Sequence, residues 1–309
     1  MPADAPIPVA LWRLLEYEST LLDRAAALLL EECGYAPARG DAVLVKPNLV
    51  SPKNAALSCT NPRVVAAVCA WLLDHGARVT VADSPAAAPV GWVARACGLD
   101  AALRPLGLKV RGLGAPRRTA LPGGGSAGVS RLALKADVVL NLPKLKAHCQ
   151  FRVTAAVKNL FGVVSGVRKA LAHARLGPRP GALEGLVMGV ARALPPVVSL
   201  LDGVYPMHRT GPIGGEACTL GLLAASADPV ALDTAVYALL GLKPKQVPLW
   251  AEARRMGLPG ARTGGLAFPL EPLDAFDASG FEVPRRLEAM EFEPLRVLRG
   301  RFKGLLPGR

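Results

Sequence analysis

Ala42-Val-Leu-Val-Lys46-Pro47-Asn48, then Asn61-Pro62 through His75-Gly76, then Ala77-Arg-Val-Thr-Val-Ala82-Asp83-Ser84: this succession decides the fold. The first and last pieces are short apolar runs without polar alternation, the pattern of strands buried on both faces. Between them Asn61 offers an N-cap, Pro62 takes the first helical position, and Gly76 supplies the stop. Strand Ala42–Lys46, helix Pro62–His75 and strand Ala77–Ala82 therefore read as a βαβ unit, the building block of parallel sheets.

The same grammar continues outward. Val138–Leu142 and Val197–Leu201 are two further apolar strands, and Asp228-Pro229 through Gly241 repeats the cap–proline–glycine helix. Thr20 with Asp23 resembles a capping box, closed by Gly34. The expected fold class is α/β, a mostly parallel sheet with helices on both faces. Residues 1–241 are expected to form one domain. From Leu242 prolines become frequent and strand patterning fades, so 242–309 is expected to be a C-terminal extension wrapping that domain. It ends in a basic stretch, Leu295–Arg309, with Arg296, Arg299, Arg301, Lys303 and Arg309. The glycine-rich residues 114–130 read as a loop or hairpin.

Composition narrows the function. Of 309 residues, 51% are hydrophobic and 20% charged, which is ample for a sizeable core. Mean hydropathy is +0.31, but the most apolar stretches, Gly185–Leu201 and Cys218–Leu242, are interrupted by Arg192, Pro195-Pro196, Asp228, Pro229 and Asp233. Neither offers the roughly 20 uninterrupted apolar residues a bilayer needs. Met1–Ala10 has no basic run before an apolar core, so no secretory signal is read there and the expected location is cytoplasmic. The six cysteines are dispersed with no C-x-x-C pair, so neither a zinc site nor an iron–sulfur cluster is expected. Gly123-x-Gly125-x-x-Gly128 precedes a strand-like run, and Gly162 through Lys169 lacks P-loop spacing, so neither supports nucleotide binding.

The net charge is +13, and its distribution is more informative than its total. No acidic residue lies between Asp137 and Glu184, a window that holds Lys144, Lys146, Arg152, Lys158, Arg168, Lys169, Arg175 and Arg179. The strands end on polar groups: Lys46-Pro47-Asn48, Asp83-Ser84, Asn141 through Lys144, and Asp202-Gly203. Open α/β sheets bind ligands outside the carboxyl ends of their strands, so these groups are expected to meet on one edge. In Asn141-Leu-Pro-Lys144-Leu-Lys146-Ala-His148 the two lysines and the histidine project from one face if the stretch is extended. Cations placed so closely repel one another unless an anion lies between them. Lys169 and His173, four residues apart, share a helix face. Asp228 and Asp233 read as a cap and a helix residue.

Eight motifs in order carry a family resemblance. They are Val45-Lys46-Pro47-Asn48, Thr60-Asn61-Pro62, Ala82-Asp83-Ser84, Asn141-Leu-Pro-Lys144-Leu-Lys146-x-His148, Val157-Lys158-Asn159-Leu-Phe-Gly162, Asp202-Gly203-Val204, Gly211-Pro212-x-Gly214 and Asp228-Pro229-Val-Ala-Leu-Asp233. Over roughly residues 40–241 the chain resembles the domain-of-unknown-function family 362 (DUF362). Many members carry a fused ferredoxin-like cysteine run, which this chain lacks, so an iron–sulfur cofactor is not implied here. Ala147 stands where a threonine is common, and His208-Arg209-Thr210 replaces a glycine-containing turn.

The expected function is binding, with possible conversion, of a small anionic metabolite bearing a carboxylate or phosphate. Lys46, Lys144, Lys146 and Lys158 are expected to hold the anion, with Asn48 and Asn159 orienting it. Asp83, Lys169, Asp202, Gly211 and Gly214 complete the contacts. His148 is the first candidate for proton transfer, and Lys146 the alternative base or nucleophile. Two rivals stand beside this: a redox or metal-cofactor protein acting with a partner, and a nucleic-acid binder. The scattered cysteines weigh against the first, and an aromatic content of 5% against the second.

Overall fold

The computed structural model describes residues 5–17, 19–85, 88–164 and 168–288. A ten-stranded sheet runs through the middle of the molecule. Its continuous path is Arg152–Thr154, Lys144–His148, Val197–His208, Val138–Leu142, Ala42–Pro47, Arg78–Asp83 and Val110–Gly112. From Lys144–His148 to Val110–Gly112 every neighbouring pair is parallel. Antiparallel partners complete the sheet: Arg152–Thr154, Leu222–Ser226, Glu216–Ala217 and Ala10–Arg13.

Side chains alternate along these strands, so Val43 and Val45 enter one core while Leu44 enters the other. Helices Ser19–Glu32, Pro62–Asp74 and Val90–Ala96 cover the first face. Helices Ala182–Arg192, Pro229–Leu239 and Pro248–Arg255 cover the second. Each fully buried aliphatic side chain contributes roughly 1.5–3 kcal/mol, and both faces need such a cover. The chain is an α/β protein with a mostly parallel sheet and helices on both faces.

Local signals set the helix ends. Asn61 Oδ1 accepts from Arg63 N at 2.9 Å, and Asp228 Oδ1 from Val230 N at 2.7 Å and Ala231 N at 3.0 Å. Two boundaries differ from the sequence reading, those of the first long helix and of the strand at Val197, while residues 114–130 fold as one of the two forms expected of them. The first long helix begins at Ser19, so Thr20 lies inside it and is not its cap. Residues 114–130 hold an antiparallel hairpin, Pro116–Ala120 with Ser126–Ser130. The strand expected to stop at Leu201 continues to His208, because Leu222–Ser226 and Glu216–Ala217 pair along it.

One topological feature positions the site. From Ala42–Pro47 the chain moves outward on one side, through Arg78–Asp83 to Val110–Gly112. It then returns to Val138–Leu142 on the other side of Ala42–Pro47. At such a reversal the connections diverge and leave a crevice beyond the carboxyl ends.

In the described part of 242–288, Leu266–Ala267 pairs with Ile7–Pro8, Arg209 N donates to Glu282 O and Glu288 N donates to Cys149 O. The basic stretch Leu295–Arg309 and Gly166 lie outside the described residues. Among the described residues no helix is long and apolar enough to cross a membrane.

Candidate functional site

A cavity of about 160 Å3 opens at that crevice. Nine of the expected residues line it: Lys46, Asn48, Asp83, Lys144, Lys146, His148, Lys158, Asn159 and Lys169. Lys46 sits opposite Asn141 across the reversal, and Asp83 is the last residue of its strand. Lys144–His148 is itself a strand, so the alternation that puts Lys144, Lys146 and His148 on one side is realised. Lys158 and Asn159 stand on the short helix Ala156–Leu160, and Lys169 and His173 on the helix Arg168–Leu176.

Two of these lysines are neutralised by carboxylates. Lys46 Nζ lies 2.8 Å from Asp83 Oδ1 and also donates to Asn159 Oδ1 at 3.2 Å. The other Asp83 oxygen accepts from Leu49 N at 2.8 Å. Lys144 Nζ lies 2.9 Å from Asp202 Oδ1, which also accepts from the Tyr17 hydroxyl at 2.6 Å. Asp202 Oδ2 accepts from Asn61 N at 2.8 Å. Burial and the Asp202 charge push the Tyr17 hydroxyl far above its ordinary range. Asp202 does not line the cavity; it anchors Lys144 from midway along its strand.

Among the described residues Lys146 and Lys158 have no ion pair. Lys146 Nζ donates to Ser58 O at 2.7 Å and to Asn48 Oδ1. Burial pushes it down to about 7, with further lowering from Lys144 and Lys46, although Cys59 and Asp83 pull the other way. Among the described residues the Lys158 ammonium makes no hydrogen bond; it lies 5.3 Å from the ring centroids of both Phe151 and Phe161. The residue is half-buried and lines the cavity. Burial, then Lys169, Lys146 and Lys46, push it down to about 7.

The histidines divide by tautomer. His148 Nδ1 accepts from Gln150 N at 3.0 Å and from Phe151 N at 3.3 Å. Backbone N–H groups can only donate, so the neutral ring carries its proton on Nε2. Burial and the charge of Lys158 hold its pKa well below the ordinary range. His148 is thus a hydrogen-bond donor at the cavity. His173 Nδ1 lies 2.9 Å from Gln150 Oε1, and burial with Lys158 and Lys169 lowers its pKa too.

The supporting groups come from far along the chain. Asp233, read from sequence as a helix residue, accepts from Ala156 N at 2.6 Å and Val157 N at 3.2 Å, capping the helix that carries Lys158. Asn141 Nδ2 donates to Ala156 O at 3.1 Å, and Asn159 Nδ2 donates to Asn141 Oδ1 at 2.8 Å. Thr60 Oγ1 donates to Leu142 O at 2.6 Å and accepts from Asn48 N at 2.8 Å, fixing Asn48.

Gly162 leaves space for the Lys46 side chain: a Cβ there would come within 2.6 Å of Lys46 Nζ. Gly211 and Gly214 do not line the cavity. A Cβ on Gly211 would meet Ala147 O at 2.1 Å, so that glycine serves strand packing, and only Pro212 of that turn reaches the cavity. Tyr17, Ser58 and Gln150 carried no sequence signal, because each acts through a long-range contact.

The neighbouring Cys97 thiol holds Cys59 below the ordinary thiol range, while Cys97 itself is raised. All six cysteines are free thiols. Among the described residues no three His, Cys, Asp or Glu side chains are grouped to hold a metal ion.

The family model described as "Domain of unknown function (DUF362)" matches residues 43–238. The chain belongs to the DUF362 family. A thylakoid-associated protein of Synechocystis sp. is 36% identical to this DUF362 protein over 302 residues, covering 96% of this chain and 93% of the relative. Two solved structures are similar at lower levels. The lactate racemase apoprotein from Thermoanaerobacterium thermosaccharolyticum aligns with a TM-score of 0.45 at 12% identity, covering 72% of this chain and 55% of that one. A protein from Thermotoga maritima aligns with a TM-score of 0.42 at 10% identity, covering 65% and 54%. This DUF362 chain thus spans little more than half the length of either solved structure.

Proposed function

We propose that this protein binds a small carboxylate- or phosphate-bearing metabolite in the cavity and moves a proton on it. The observation that carries this reading is the presence of two lysines, Lys146 and Lys158, facing one cavity without an ion pair. A buried charge without a partner is costly; it is relieved by an anion or by loss of the proton. Lys46 and Lys144, already paired, shape the cavity and add little net charge. The volume suits a ligand of a few heavy atoms and falls below the roughly 300–1,000 Å3 of sites for larger ligands.

The proton chemistry falls to Lys146. As a neutral amine it keeps both N–H bonds, to Ser58 O and Asn48 Oδ1, and leaves one lone pair to accept a proton. His148, presenting Nε2–H, polarises an oxygen of the ligand. We place this activity in the cytoplasm, where free cysteines stay reduced.

The test is thermal unfolding with phosphate or lactate, beside proton NMR of candidate acids incubated with the protein in deuterium oxide. Binding at a hundredfold excess over Kd adds about 2.7 kcal/mol of stability. Lys146→Met is expected to remove the exchange of the carbon-bound proton next to the carboxylate. If neither anion raises the melting temperature, the anion-site reading fails.

A further inference from the structure

Lys158 differs from every other lysine of the cavity. Lys46 and Lys144 are held as ammonium ions by Asp83 and Asp202, and an ammonium has no lone pair. Lys146 donates to Ser58 O and Asn48 Oδ1, and Lys169 donates to Ser84 O. Among the described residues the Lys158 ammonium has neither a hydrogen bond nor an ion pair, and the rings of Phe151 and Phe161 lie 5.3 Å from it. We propose that Lys158 is a nucleophile that condenses with the carbonyl of a small 2-oxo acid to form an imine.

This rests on the reading of the cavity as an anion site, and it names the substrate class. An imine nitrogen gives up its N–H groups. At Lys146 that would strip two acceptors, Ser58 O and Asn48 Oδ1, of their donor. At Lys158 nothing is lost, because no acceptor depends on it. Burial and the neighbouring cations hold the amine near neutrality, so a substantial fraction carries the lone pair at pH 7.

The step balances. The Lys158 lone pair forms a C–N bond to the carbonyl carbon, and the carbonyl pair moves to oxygen, which His148 Nε2–H stabilises. The nitrogen loses two protons, and both pass to that oxygen. The C–O bond breaks and the oxygen leaves with both protons as water. The carboxylate of the same molecule lies against Lys46 and Lys146. A carbonyl beside a carboxylate therefore satisfies the amine and the cations at once, which phosphate does not.

The experiment is reductive trapping. The full chain is incubated with pyruvate and sodium borohydride, and intact and peptide masses are read. The expected product is a gain of one pyruvate less one oxygen atom, on the peptide that carries Lys158, at a level at least about tenfold above that in Lys158→Arg. Lys158→Met, checked for folding by circular dichroism, should show the same loss. A parallel melt with lactate, which has the carboxylate but no carbonyl, separates the two readings. Stabilisation by lactate without an adduct at Lys158 overturns the imine and leaves the anion site standing. An adduct on another lysine also overturns the assignment. Neither stabilisation nor adduct overturns both.

Discussion

Lys146 and Lys158 sit in one cavity with their acid–base equilibria drawn down to about 7, while the histidines beside them lie below their ordinary range. The usual roles are thereby exchanged: the lysines titrate near neutrality and the imidazoles stay neutral. An anion bound between the lysines favours their charged forms, so binding raises both pKa values and takes up protons. Affinity for lactate or phosphate is therefore expected to fall as pH rises from about 6 to about 9, with no inflection from a histidine. Calorimetry in buffers of different ionisation enthalpy reads this uptake directly, and Lys146→Met should diminish it. An uptake unchanged in that variant would place the titration elsewhere. The alternation that brings Lys144, Lys146 and His148 to one side was legible in the sequence, because it needs only an extended backbone. Which lysine is neutralised was not, since Asp202 lies 58 positions from Lys144. The tautomer of His148 was equally hidden, because it depends on two backbone N–H groups placed by a turn.

Asp228 and Asp233 belong to the same helix and do different work. Asp228 caps that helix locally, a role its Asp-Pro context announces, and Asn substitutes well at such a position. Asp233 reaches across to the N-terminus of Ala156–Leu160, 77 positions away, and also accepts from the Tyr237 hydroxyl at 3.2 Å. No periodicity or cap signal could reveal that partner. Asp233→Asn turns one acceptor oxygen into a donor facing a backbone N–H. It is expected to lower stability by about 1–3 kcal/mol and to reduce trapping at Lys158, whereas Asp228→Asn should change stability by only a few tenths. Chemical denaturation of the two variants decides it, and equal losses would deny Asp233 its special position. Gly162→Ala tests the neighbouring element, because its Cβ has no room beside Lys46. The expected result is displacement of Lys46 from Asp83, seen as a loss of about 3–5 kcal/mol, the usual cost of breaking a buried ion pair. A loss below about 1 kcal/mol would show that the Lys46 side chain yields without leaving Asp83.

At the scale of the molecule, the order of strands places unlike pieces of chain at one edge. Strands read as apolar runs fall into a parallel sheet because both their faces need cover, and the four expected apolar strands all join it. The reversal between Ala42–Pro47 and Val138–Leu142 then concentrates cations there. Holding those cations in the fold has a thermodynamic consequence with a definite sign. Burial and neighbouring cations draw Lys146 and Lys158 down to about 7 in the fold, below the ordinary lysine value of 10.5. Between those limits the unfolded chain binds more protons than the folded one, so stability rises with pH. Below about 7 both lysines are charged in either state, and the folded protein bears the full cost of burying them. Raising pH from about 7 to about 10 is therefore expected to add on the order of a few kcal/mol to the ligand-free protein. The net charge of +13 also falls over that range and relieves repulsion across the whole surface. The Lys146→Met, Lys158→Met double variant keeps that general effect and lacks the specific one. Denaturation midpoints for both proteins across the range should diverge, the wild type gaining more, and a saturating anion should flatten the wild-type curve. Parallel curves would mean that both lysines keep their protons throughout, and the base and nucleophile assigned to the cavity would lose their lone pairs.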